Sequence, residues 1–143
     1  EELDRLGRRH LGDVFRLGTA LIQVSQARQP CWKLNLRFGK PDMSRRVQES
    51  ARTGWYYRVL ETGEVAPGAE LRLFDRPRPD WPLAHLLHYF YADPLNVDAL
   101  AAIMALDVLS ASWRELAQRR LTSGQIEDWS RRLNTPAKQT RRQ

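Results

Sequence analysis

Hydrophobic and polar positions alternate with a period of two in the first half of the chain and recur at intervals of three and four in the second. Leu11 to Gly18 reads as a short strand bracketed by turn residues, and Ala20 to Ser25 as a second strand that leads into a loop holding Cys31. Residues 42–52 follow Pro41 and place Met43, Val47 and Ala51 on one face of a short surface helix. Trp55 to Leu60, rich in aromatic and β-branched residues, predicts a strand, and a turn at Thr62-Gly63 follows. After Pro67-Gly68, the alternation over Glu70 to Phe74 predicts another strand with one buried face.

Arg76-Pro77-Arg78-Pro79-Asp80-Trp81-Pro82 interrupts the pattern, because proline removes backbone donors and disfavours helix before and at its own position. Beyond it three apolar stripes predict three short helices. They are Leu83, Leu86, Leu87 and Phe90; Val97, Leu100, Ala101 and Met104; and Leu109, Trp113, Leu116 and Ala117. Asp93-Pro94 and Asn96 supply start signals for the second, and Ser112 with Glu115 offers a capping box for the third. After Gly124 apolar residues thin out. The expected organisation is a strand region to residue 76, a proline-rich linker at 77–82, a helical region at 83–124, and a loosely held basic tail at 125–143.

At 143 residues, 42% hydrophobic and 28% charged, the chain has the composition of a folded domain. No apolar run approaches the roughly 20 residues that span a bilayer, and the acidic start is wrong for a secretory signal, so the expectation is a cytoplasmic protein without a membrane partner. One cysteine cannot close an internal disulfide, which suits a reducing compartment. The formal charge of +6 is concentrated: residues 28–58 carry eight basic side chains against Asp42 and Glu49. Such a surface attracts phosphate, on a cofactor or on nucleic acid. It also reads simply as a solvated basic face.

The candidate chemistry centres on Gln26-Ala27-Arg28-Gln29-Pro30-Cys31-Trp32-Lys33-Leu34-Asn35. The thiolate is the nucleophile and the metal ligand, and neighbouring cations favour it. Arg28 and Lys33 are the first candidates to partner a thiolate or a phosphate, with Arg37 and Arg52 behind them. Asn35 and Gln26 could hydrogen-bond a heterocycle edge or serve as turn and strand-end residues. Trp55, Tyr56 and Tyr57 either stack on a flat substrate or fill the core. His85 and His88, three apart, lack a further ligand at suitable spacing and read as exposed helix positions. Asp13 reads as a turn residue, and Trp81, Trp113 and Trp129 as packing residues.

These segments, together with Gly12-Asp13-Val14-Phe15-Arg16-Leu17-Gly18, Ser44-Arg45-Arg46, Thr53-Gly54-Trp55-Tyr56-Tyr57-Arg58-Val59-Leu60-Glu61 and Leu109-Ser110-Ala111-Ser112-Trp113-Arg114, resemble the C-terminal part of a MOSC domain followed by the three-helix appendage of the YiiM-like MOSC proteins. The resemblance covers about residues 12 to 121. It implies an α+β chain: a partial β-barrel of about four strands and a short helix over residues 1–76, then a small three-helix subdomain. Full-length members carry further strands ahead of the Gly12-Asp13 turn, so exposed strand edges are expected, open to a homodimer or another covering chain.

The resemblance further implies binding of the molybdenum cofactor, with Cys31 as catalytic thiolate ligand to the metal and Arg28, Lys33, Asn35, Arg37 and Arg52 as cofactor-binding residues. A soft sulfur donor suits a redox metal already held by dithiolene sulfur. The implied activity is two-electron reduction of N-hydroxylated nucleobases or similar small molecules, with electrons from a flavoprotein-type reductase. The alternatives are a sulfur carrier using a Cys31 persulfide and, from a different class, a basic nucleic-acid-binding module.

Overall fold

The computed structural model describes residues 8–137. Four strands, β1 (Val14–Leu17), β2 (Ala20–Ala27), β3 (Trp55–Glu61) and β4 (Leu71–Asp75), form one antiparallel sheet in the order β3-β2-β1-β4. The sheet is open, not closed into a barrel, and β3 and β4 are its edges. Among the described residues six α-helices accompany it: α1 (Lys33–Phe38), α2 (Met43–Glu49), α3 (Leu83–Leu87), α4 (Val97–Met104), α5 (Ala111–Ser123) and α6 (Ser130–Leu133). The chain is thus α+β, as its pattern of periods predicts.

The β1–β2 hairpin pairs Phe15 with Ile22 and turns at Gly18-Thr19. Gly18 has φ +57°, and a Cβ there would lie 2.1 Å from the Glu64 carbonyl oxygen, so only glycine lets the 62–69 loop close over the turn. That loop is fastened by Thr19, whose N–H donates to the Glu64 carbonyl and whose Oγ1 accepts from the Glu64 N–H.

One face of the sheet carries Phe15, Val24 and Ala27 into a core shared with Leu83, Leu86, Leu87, Phe90, Leu100, Ile103, Leu109 and Trp113. Strand region and helical region therefore fold against one another around continuous apolar packing. The proline segment is stitched back to the first described residues: Leu11 N–H donates to the Trp81 carbonyl at 2.9 Å and Leu83 N–H to the Arg9 carbonyl at 2.8 Å. Asp13 is fully buried and holds Arg76 through two 2.8 Å hydrogen bonds while accepting from the His10 N–H. Its role extends beyond the local turn that its sequence context suggests.

Several expectations are corrected. The helix at 43–49 buries Ser44 and Gln48, not the Met43/Val47/Ala51 face, because two polar side chains there find partners in the C-terminal segment. Strand β4 buries no face fully: as an edge strand it leaves Leu73 and Phe74 50% and 64% exposed. Helix α4 buries Ala99, Leu100 and Ile103, whereas Val97 and Ala101 face outward. Asn96 caps it as predicted, its Oδ1 accepting from the Ala99 N–H. The expected capping box of α5 does not form, since the helix begins two residues earlier, with Ser110 preceding Ala111 and the Ser110 N–H bound to the Ser25 carbonyl.

The first helical stripe runs on past α3 into a looser turn at His88–Ala92, closed by the Asp93 N–H on the His88 carbonyl. The tail is not loose through Leu133, which is 1% exposed and belongs to the interior. The end of the expected tail, from residue 138, lies outside the described residues.

Candidate functional site

Strand β2 delivers the cysteine loop. After Ala27 the Arg28 N–H bonds the Gly54 carbonyl, Pro30 is buried, and Cys31 follows as a free, half-buried thiol outside the apolar core. The chain then enters α1, a helix that hydrophobic periodicity does not announce. Lys33–Phe38 contains no glycine or proline and stops at Gly39, where φ is +62°. The Cys31 carbonyl accepts from the Leu34 N–H, so the cysteine sits at the mouth of this short helix.

The loop is held by residues a hundred positions away. Arg132 donates to the Pro30 carbonyl and, at 2.7 Å, to Gln48 Oε1, while its own carbonyl accepts from the Trp32 N–H. Its guanidinium also lies 5.7 Å from the Tyr91 ring centre. Burial pulls the Arg132 pKa below the ordinary guanidinium value, opposed by the charges of Tyr91, Glu127 and Cys31. Arg132 is therefore a cation that shares its surroundings with the sulfur.

Asn35, expected at a pterin edge, has both ends of its amide engaged within the chain. Oδ1 accepts from the Ser44 N–H at 2.8 Å, and Nδ2 donates to the Leu133 carbonyl at 2.9 Å and to Thr135 Oγ1. It clamps α1, α2 and the C-terminal segment together. Arg28, Lys33, Arg37 and Arg52 are all exposed. Arg52 lies with Arg8 and Arg9 around a pocket beside Gly54 and Trp55.

A cleft of about 420 Å³ adjoins the loop, lined by Gln26, Gln29, Tyr56, Arg119, Trp129 and Arg132 among others. Arg132, which donates to the Pro30 carbonyl, connects it with the cysteine loop. Of the aromatic triplet, Tyr57 packs edge-on against Phe15 at 6.1 Å, whereas Tyr56 is 51% exposed and faces the cleft, where a flat ligand could stack. Gln26 and Gln29 offer amides to a heterocycle there.

The far wall is fixed by an ion pair whose arginine is buried. Arg120, 1% exposed, donates to both Glu127 carboxylate oxygens and to the Phe90 carbonyl. Burial alone would raise the Glu127 carboxyl, but hydrogen bonds from Arg120 and Trp129 outweigh it and bring the pKa down to about 2. The ordinary value is 4.5, so ionised Glu127 favours the folded state fully above that pH and loses this contribution as pH falls towards 2. Between pH 4.5 and 2 the melting temperature of the native protein should fall more steeply than that of Glu127→Gln, followed by circular dichroism; parallel curves would contradict the assignment. Burial also pushes the Tyr91 hydroxyl up to about 12.

His85 and His88 are exposed, His85 stacking on Trp81 at 5.0 Å. Among the described residues no group of three or more His, Cys, Asp and Glu could hold a metal ion. Among the described residues no helix is long and apolar enough to cross a membrane.

Arg132, Gln48, Ser44 and Gln29 are the participants that sequence reasoning missed. The available signal was slight: Trp129 and Leu133 are isolated apolar residues in an otherwise polar tail.

An open antiparallel sheet with a cysteine loop at the end of β2, packed on a small helical unit, defines the class: a MOSC-type domain with a helical appendage. Residues 5–72 match the MOSC domain and residues 81–124 match the YiiM-like 3-alpha helix domain. The chain belongs to the YiiM-like MOSC proteins. It is 40% identical over 124 residues to Protein YiiM of Escherichia coli, covering 87% of this chain and 55% of that protein. It is 34% identical over 114 residues to a protein of Gibberella moniliformis named Reductase, covering 79% of this chain and 20% of that one. The crystal structure of YiiM from Escherichia coli superposes with a TM-score of 0.83 at 39% identity, covering 88% of this chain and 62% of the other. The chain spans about half the length of E. coli YiiM and a fifth of the fungal protein.

Proposed function

We propose that this chain is part of a molybdenum-cofactor-dependent reductase of N-hydroxylated nucleobases or similar compounds, with Cys31 as the protein's ligand to the metal. The observation that carries the reading is a free thiol held half-buried, outside the core, in a loop that Arg132 pins. One sulfur cannot retain a bare ion, but it completes the coordination of an ion already chelated by dithiolene sulfur. The donor chemistry therefore fits the cofactor that MOSC domains are generally associated with.

When bound, the cofactor would supply two electrons that, with two protons, convert an N-hydroxyl group to N–H and water. The chain's own contribution is positional. Cys31 holds the metal; Arg28, Lys33 and Arg37 surround the loop with positive charge suited to a pterin phosphate; Asn35 fixes the helix that follows. Tyr56, Gln26 and Gln29 receive the flat base in the adjoining cleft. A flavoprotein-type reductase is the proposed electron donor.

The test is oxidation of a reduced dye by the molybdopterin-loaded protein on addition of 6-hydroxylaminopurine. Substrate-dependent dye oxidation with release of adenine is expected. Cyanide-labile sulfur on Cys31 without turnover would overturn the reading in favour of sulfur transfer.

A further inference from the structure

On the face of β3 opposite to Tyr56, a pocket of about 250 Å³ is lined by Arg8, Arg9, Arg52, Trp55 and Leu87 with the start of α3. None of its described lining residues is acidic. Arg9 is the distinctive member. It is only 9% exposed, its Nε has no hydrogen-bond partner among the described residues, and its guanidinium lies over the Phe15 ring at 4.6 Å and towards Trp55 at 5.8 Å.

The Nε of this buried guanidinium has no acceptor among the described residues, and leaving a buried donor unmatched is costly. Asp13, the buried carboxylate nearby in sequence, is already committed to Arg76. Two further arginines at the rim bring net positive charge to a space walled on one side by Trp55. Three guanidinium groups around a small concavity suit a phosphate, whose oxygens accept from planar forks in pairs.

We propose that the Arg8/Arg9/Arg52 pocket binds the phosphate of a phosphomonoester. The site stands on the arginine geometry and not on Cys31 holding molybdenum. The source of the phosphate is a nucleotide, because the reading above already gives a pterin phosphate Arg28, Lys33 and Arg37, which lie outside this pocket.

Calorimetry with inorganic phosphate, AMP and adenosine on the full chain tests it. Phosphate and AMP bind, and adenosine does not. Arg52→Gln, an exposed position, weakens AMP binding about tenfold, as expected for one lost charged hydrogen-bond partner. Arg9→Gln weakens it further, while Arg131→Gln and Cys31→Ala leave it unchanged. AMP and molybdopterin are expected to bind simultaneously; competition between them overturns the nucleotide assignment. Equal binding of adenosine and AMP, no binding of any phosphate, or an unchanged affinity in Arg52→Gln overturns the proposal. Loss of dye oxidation in Cys31→Ala with AMP binding intact separates this site from the metal reading.

Discussion

Cys31→Ser is expected to abolish reduction of N-hydroxylated bases and to weaken molybdenum retention, so that loading needs excess molybdopterin, while leaving the fold intact. The substitution changes one atom at a half-buried position outside the core cluster, so packing is nearly conserved. The chemistry is not conserved, because a hydroxyl stays protonated at neutral pH and is a hard donor, whereas thiolate is soft and matches a metal with sulfur ligands. Loss of outer-shell partners at metal sites costs about 10–100-fold in affinity or activity, so loss of the ligand itself should exceed the upper figure. The check is metal content per chain with dye-linked turnover, beside an unchanged circular dichroism melt. Native-like molybdenum and turnover in Cys31→Ser would remove sulfur ligation from the account.

The largest effect on stability is expected for Phe90→Ala. Phe90 is fully buried where the looser helical turn meets α5, with its ring 4.3 Å from Trp113 and 4.9 Å beneath the Arg120 guanidinium. Truncating a buried phenylalanine removes transfer free energy and leaves a cavity, together about 3–5 kcal/mol. The loss also uncovers Arg120, whose pairing with Glu127 positions Trp129 at the cleft. At this chain length such a change lowers the melting temperature by roughly 10–15 °C. Urea denaturation should show a lower midpoint with a similar slope. A loss below about 1 kcal/mol would mean that the helical unit and the sheet do not share the interior described.

Much of the architecture was legible in the sequence because its signal is local. The strands β1, β2 and β3 and the stripe containing Leu83, Leu86, Leu87 and Phe90 follow from hydrophobic period, and Asn96 from its capping chemistry. The family was legible in the Cys31 and Trp55-Tyr56-Tyr57 segments. What escaped depends on contacts distant in the chain. Ser44 and Gln48 look like solvent-facing positions until Leu133 and Arg132 arrive to pair with them. The Cys31 loop reads as flanked by Arg28 and Lys33, but the guanidinium tied to its peptide belongs to Arg132, in a segment whose composition suggests a loose tail. Strand β4 alternates as if half-buried, yet its position at an edge of an open sheet leaves it largely exposed.

The most direct test is X-ray absorption at the molybdenum edge, comparing the loaded native protein with molybdopterin-loaded Cys31→Ser. The account predicts one fewer sulfur neighbour in the variant, replaced by a light atom. Identical sulfur coordination in the two proteins would contradict it.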